Sequence, residues 1–375
     1  MPELIEILRL WDQIESAGET GVLATVVQTR GSSYRLPGAH LLLAQSGEHA
    51  GTISGGCLEE EILRKAWWMT ESGPVLRRYD TTTDGEIESS PYGLGCNGTI
   101  EVLLQRVSAR PRSQLSLLRS VVERRLCAVI AHVIRPPVSL AQRLSIDVDG
   151  CVESEIADPA LAEAAEESAR TVQASGVSQT VAIGSAQVFI ECLVPPVHLL
   201  VFGAGDDAVP MTRLAKQLGW RVSVFDGRIH YLKPGKFPDA DSVMLRQTGA
   251  PTPAVDNRTV AVLMTHSYSQ DLDILRSLAV ERLPYLGILG PRKRANALLK
   301  EAMLDVTSLD SLHTPVGLDI GADGPEQVAL AVCAEIQSVL NGRSGGFLKH
   351  REGSIHASES SDAQAPVWGP SAVCA

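Results

Sequence analysis

The chain has 375 residues, 44% hydrophobic and only 4% aromatic, which suits an α/β protein of two domains built on Val, Leu, Ile and Ala. A formal net charge of -11 without any basic block argues against non-specific nucleic-acid binding, and no apolar run approaches the length of a membrane span. Seven scattered cysteines, an odd number, make no disulfide framework; with an acidic, helix-patterned N-terminus unlike a signal peptide, they point to a reducing cytoplasm.

Leu4, Ile7, Leu8, Trp11 and Ile14 recur at helical spacing and predict a first helix ending near Gly18. Residues 21–29 read as a buried strand running into RGSSYRLPG (30–38), a loop able to cup phosphate through backbone N–H groups, Ser hydroxyls and Arg35. A hairpin turns at residues 45–48. The chain then reaches GTISGGCLE (51–59), where Gly55 and Gly56 let backbone approach a ligand. There Cys57 opens the helix expected over 59–69, a position whose positive dipole holds an anion or favours thiolate. After a strand near 75–79, residues 80–98 form a polar stretch long for a loop, which carries Cys96 within GLGCNG (93–98). Neither cysteine belongs to a Cys-x-x-Cys pair, so a structural zinc site is not favoured.

Residues 111–196 read as a connecting α/β segment. A helix spans 114–125, strands follow at 127–134, 144–148 and 152–156, a second helix covers 160–174, and two more strands precede Pro195-Pro196. Cys127, Cys151 and Cys192 lie in or beside strands and read as structural. The prolines mark the domain boundary.

From residue 197 the order is strand, GAGDDA (203–208), helix, strand, acid. With Asp226 about twenty residues past Gly203 and Gly205, this is a dinucleotide-binding fingerprint and predicts a Rossmann-like, doubly wound parallel sheet. Asp206 and Asp207 sit where a pyrophosphate would dock and would repel it unless a cation offsets them; helix capping is their ordinary role. His266 follows a strand at its C-terminal end, where open α/β sheets bind ligands. Arg292, Lys293 and Arg294 open another helix and read either as a phosphate site or as a solvated basic turn. GLDIG (317–321) precedes a last helix, and residues 342–375 read as a disordered tail.

GSSYRLPGAHLLL, GTISGGCLEEE, GLGCNG, GAGDDA, THSYSQD, YLGILGPRKR and TPVGLDIGADGPEQVALAVCAEI, in that order, resemble the XdhC/CoxI family of accessory factors for xanthine dehydrogenase and related molybdenum hydroxylases. The likeness runs from about residue 10 to residue 340; Asn97 departs mildly from a family pattern that tends to read GLGCGG. It implies a cytoplasmic, homodimeric chaperone that binds molybdenum cofactor (molybdopterin, or a dinucleotide form), supports its sulfuration and hands it to apo xanthine dehydrogenase or a related molybdoenzyme. On that reading the chain has an N-terminal mixed α/β domain (1–110) with Cys57 as a metal contact or the bearer of a transient persulfide and Cys96 as a second metal ligand or a resolving thiol, served by a cysteine desulfurase. The connecting segment (111–196), the Rossmann-like domain (197–341) and the tail (342–375) follow. The rival expectations are an NAD(P)-dependent oxidoreductase and a nucleotide-binding scaffold.

Overall fold

The computed structural model describes residues 2–31, 33–56, 58–80, 98–109, 113–233, 235–304 and 310–351, so the expectations placed on Cys57, on Cys96 and on most of 80–98 lie outside the described residues. The chain divides into two compact units between Pro195 and Pro196.

The first unit is built twice over. Its first half runs α1 (Pro2–Ser16), β1 (Gly21–Gly31), β2 (His40–Leu43), β3 (His49–Gly51), α2 (Glu59–Met69), β4 (Val75–Asp80) and β5 (Gly98–Val107). The second half runs α3 (Gln114–Arg124), β6 (Ala128–Arg135), β7 (Arg143–Ile146), β8 (Val152–Ser154), α4 (Pro159–Ser175), β9 (Gln179–Ile183) and β10 (Ala186–Leu193). Each half forms an antiparallel five-stranded sheet, ordered β3-β2-β1-β5-β4 and β8-β7-β6-β10-β9, the same order five strands later. The register repeats too. Thr25 pairs with Leu103 as His132 pairs with Phe189, and Leu23 pairs with Gln105 as Ile130 pairs with Glu191. Within the stretch 111–196, expected as a connecting segment, the elements from α3 to β10 are therefore the second copy of one topology.

Strand alternation explains the layers. Val22, Ala24 and Val26 point to one face of the first sheet and pack with Ile62 and Ala66 of α2. Leu23 points to the other face, where Trp11 of α1 and Leu115, Leu118 and Val121 of α3 share a core with Ile130 and Leu193 of the second sheet. Helix α4 covers the far face of that sheet through Ala165, Ala169 and Val172. The halves differ in their connections. The second has a turn of two residues between β9 and β10 and four residues between β8 and α4, where Asp158 caps the helix. The first has long connections at both equivalent places, including the stretch with Gly55 and Gly56.

The second unit carries β11 (His198–Phe202), α5 (Ala208–Gln217), β12 (Arg221–Asp226), β13 (Ser242–Leu245), β14 (Thr259–Leu263), α6 (Tyr268–Leu278), β15 (Tyr285–Ile288), α7 (Arg292–Ala302), β16 (Leu312–His313) and α8 (Pro325–Leu340). The six strands are all parallel in the order β13-β12-β11-β14-β15-β16, the expected doubly wound sheet, whose strand order reverses between β11 and β14. Helices α5 and α8 bury one face through Met211, Ala215, Val332 and Ile336, and α6 and α7 bury the other through Leu275, Leu298 and Leu299. The strands read as near-continuous apolar runs because both faces are covered. Past α8 the described chain continues to Arg351, with the Arg343 N–H bonded to the Ser338 carbonyl at 2.8 Å. Among the described residues no helix is long and apolar enough to cross a membrane.

Candidate functional site

In the first unit, two of the loops singled out by composition are tied together by a residue from neither. Glu3 of α1 accepts the Arg35 guanidinium on both oxygens, at 3.0 and 2.8 Å, and also the Thr52 N–H at 2.8 Å. Arg35 is thus ion-paired, with about a quarter of its side chain exposed (23%). A side chain at Gly55 would come to 3.8 Å from the ring of Tyr34, itself exposed on the 33–38 turn. Arg35, Gly55 and Gly56 therefore lie on one pair of adjoining loops.

Glu59, first residue of α2, folds its side chain back over the loop that precedes it. Oε1 accepts the N–H groups of Ile53 (3.1 Å) and Ser54 (2.8 Å) and lies 2.6 Å from the Thr52 hydroxyl; Oε2 accepts the Gly56 N–H (3.1 Å) and the Ser54 hydroxyl. Ser54 Oγ in turn accepts the Leu58 N–H at 3.1 Å. Gly56 has φ +108, a conformation that a side chain would strain. Burial pushes the Glu59 carboxyl up, but the hydrogen bonds from Ser54 and Thr52 outweigh it and bring its pKa from 4.5 down to about 2. Glu59 reads in sequence as one of three acids favoured by a helix N-terminus; the glycine-serine loop just before it is the only signal of its inward turn.

In the second unit, the site is the C-terminal edge of the parallel sheet. At Gly203 (φ +126) a Cβ would stand 2.3 Å from the Met264 carbonyl oxygen, so only glycine lets β11 pass β14 there. Asp226 is buried; it accepts the Ala204 N–H at 2.8 Å and, from Arg228, the backbone N–H at 2.8 Å and the guanidinium at 2.9 Å through both oxygens. These contacts hold its pKa below the usual carboxylate value even though burial alone would raise it. Arg228 also donates to the Thr265 carbonyl at 2.8 Å and lies over the Tyr231 ring at 4.1 Å. Both oxygens of the acid expected to read a ribose are thus engaged within the protein.

The two acids after Gly205 do not cap α5. Asp207 is the N-cap residue without a side-chain cap bond; its carboxylate lies 2.7 Å from His266 Nε2, and Asp206 pairs with Lys236 at 2.9 Å. Lys236 supplies beside Asp206 a cation of the kind that the sequence required, and Asp207 is engaged by His266. His266 has φ +58, an uncommon conformation for a non-glycine residue, in the crevice between β11 and β14. At the next turn the basic triplet splits. Arg294 pairs with the fully buried Asp271 at 2.7 Å, while Arg292 and Lys293 are exposed on the first turn of α7. A small cleft lined by Phe202, Phe225, Gly227, Arg246, Gln270 and Asp273 opens beside Asp226. Glu335 of α8, unremarked in the sequence, holds the start of the GLDIG loop: it accepts the Gly317 N–H at 2.8 Å and the Tyr285 hydroxyl at 2.5 Å. Among the described residues no group of three or more His, Cys, Asp or Glu is arranged to hold a metal ion.

Residues 199–336 match the XdhC Rossmann domain, and residues 14–80 match the XdhC and CoxI family. A Bacillus subtilis (strain 168) protein, named as a probable component of xanthine dehydrogenase, is 31% identical over 324 residues, 85% of this chain and 92% of its own. The chain belongs to the XdhC/CoxI family. An Escherichia coli (strain K12) relative, named molybdenum cofactor insertion chaperone PaoD, is 25% identical across 89% of this chain and 87% of its own. The crystal structure of a Bacillus halodurans protein described as a xanthine dehydrogenase superposes with a TM-score of 0.74 at 27% identity, covering 90% of this chain and 96% of that one.

Proposed function

We propose that this XdhC/CoxI protein is an accessory chaperone that binds molybdenum cofactor, supports its sulfuration and delivers it to xanthine dehydrogenase or a related molybdenum hydroxylase. The observation that carries the reading is similarity along most of the chain to a relative named as a molybdenum cofactor insertion chaperone. The cofactor is cargo, a pterin phosphate bearing the metal; when bound, it supplies the molybdenum whose oxo ligand is exchanged for sulfido. In this reading Cys57 contacts the metal or carries, as a transient persulfide, sulfur received from a cysteine desulfurase, and Cys96 is the second metal ligand or the resolving thiol. The protein works as a homodimer in the cytoplasm.

The residues in hand fit a phosphate best at one place. The N–H groups of Ile53, Ser54 and Gly56 are already committed to Glu59, and the 203–207 turn presents two carboxylates. Arg292 and Lys293 are exposed cations at a helix N-terminus, where dipole and charge both favour an anion. His266, oriented by Asp207, is the polar side chain of the neighbouring crevice. The strand order and GxGxxA turn favour a second reading, a dinucleotide ligand or NAD(P)-dependent oxidoreduction. It has less support, because Asp226 would have to give up Arg228 to meet a ribose.

The test is protein produced in a host that makes molybdenum cofactor and purified without oxygen, assayed for pterin fluorescence and molybdenum beside Cys57→Ser. Pterin and metal in wild type, with metal reduced in the variant, is the expected result. Absence of both from wild type, with saturable nicotinamide binding, would replace the chaperone by the oxidoreductase.

A further inference from the structure

We infer that Glu59 is a built-in anion: its carboxylate occupies an oxyanion nest formed by residues 52–56, so that this stretch takes no phosphate or molybdate from outside and is instead held in one shape. The inference concerns a role for Glu59 that family membership does not supply, and it stands whether or not the chain carries molybdenum cofactor.

The geometry is that of a filled anion site. Three backbone N–H groups, from Ile53, Ser54 and Gly56, and the hydroxyls of Thr52 and Ser54 converge on two oxygens of one buried carboxylate. Successive N–H groups around a positive-φ glycine at a helix N-terminus are the arrangement that elsewhere cradles phosphate. Here the occupant is covalently attached at the first residue of the helix, so it faces no translational cost of binding and no free anion competes on equal terms. The chain on either side of position 57 is fastened to this centre, Gly56 through Glu59 and Leu58 through Ser54. The second half of the unit lacks the device: between β8 and α4 the N-terminus is capped by Asp158 over a short connection. Glu59 is thus a positioning residue, and the anion-holding capacity legible in GTISGG is satisfied internally.

Chemical rescue tests this on the purified full chain, followed by thermal unfolding and by amide hydrogen exchange of peptides spanning residues 52–59. Glu59→Ala should exchange faster than wild type at the loop amides by roughly tenfold or more. Added formate or acetate, at ionic strength matched with chloride, should restore protection and raise the unfolding midpoint saturably. Wild type should be unmoved by formate, phosphate or molybdate in that peptide, whatever those anions do at Arg292 and Lys293. Glu59→Gln, whose amide fills the nest but turns N–H toward donors, should lose protection without rescue. Loop protection in Glu59→Ala equal to wild type, or loss without formate rescue, overturns the inference. Should Glu59→Ala fail to fold, the wild-type arm still decides: protection of residues 52–59 altered by phosphate or molybdate means that Glu59 is displaced by external anions.

Discussion

At the scale of single residues, the chemistry legible in the sequence turns on who else is near. Glu59 illustrates the energetic side. A pKa of about 2 against 4.5 means that its contacts stabilise the fold fully above about pH 4.5 and are lost as pH falls toward 2. Discounted for screening of a carboxylate at the edge of the core, the shift corresponds to about 1–2 kcal/mol for the charge-dependent part. Urea unfolding of wild type and Glu59→Gln should therefore differ by up to that amount at pH 7, with the gap narrowing steadily below pH 4.5; a gap independent of pH would mean that the charge contributes nothing. Arg35 and Asp226 show the limits of spacing. Both are charged residues at loop mouths, as their motifs suggest, yet each is paired, with Glu3 from a distant helix and with Arg228 two residues on. A partner 32 residues away in another element leaves no local signature. Arg228 does lie in plain sight, and its pairing follows from the tight turn after β12.

At the scale of elements, periodicity locates most helices and strands, because buried strands and amphipathic helices have clear periods. It misses β13 and β16, short strands with little burial to pattern their residues, which form the two edges of the sheet. It also misses the duplication. The equivalent positions keep apolar character, as Leu23 and Ile130 or Val27 and Ile134 do, and Val22, Ala24 and Val26 recur as Val129, Ala131 and Val133, but so short a match between valine-rich strands carries no repeat signal until the register is seen. Where the two halves meet, the core includes a polar seam. His40 Nε2 lies 2.7 Å from Glu191 Oε1, Gln114 donates to Oε2 at 3.0 Å, and the Thr25 hydroxyl meets the other ring nitrogen at 3.2 Å. Burial would lower the His40 pKa, but the Glu191 charge and hydrogen bond outweigh it and raise it above 6.5. The protonated pair hence stabilises the unit fully below pH 6.5, and that contribution is lost as pH rises through the raised value. Glu191→Gln should cost about 2 kcal/mol at pH 6 and less at higher pH, while moving the His40 imidazole titration downward in NMR. An unmoved titration would mean that Glu191 does not set the charge of His40.

At the scale of the whole chain, chemistry-bearing loops and supporting scaffold are separated. The first half of the duplicated unit has more residues between its equivalent elements; the second repeats the sheet with short connections, which is why the sequence from α3 to β10 offers no chemistry to read. The Rossmann-like unit is legible down to its parallel, doubly wound sheet because glycine, turn and acid occur at mechanically required spacings. Its ligand is not, because fold does not name ligand and side-chain pairing decides which groups stay free. On the function proposed above, the two units contribute separable parts: sulfur chemistry from the first, phosphate binding from the cations of α7 in the second. The double variant Arg292→Ala, Lys293→Ala removes exposed side chains, so its stability should stay within about 0.5 kcal/mol of wild type. Its co-purified pterin should nevertheless fall, together with molybdenum, since cargo that is not held brings no metal. Cys57→Ser should instead keep pterin and lose metal. Arg294→Ala is the matched control for stability, because it leaves the buried carboxylate of Asp271 without its cation and should destabilise by several kcal/mol. Pterin retention undiminished in the double variant, in protein as stable as wild type, would move the phosphate away from α7 and return the 203–207 turn to consideration.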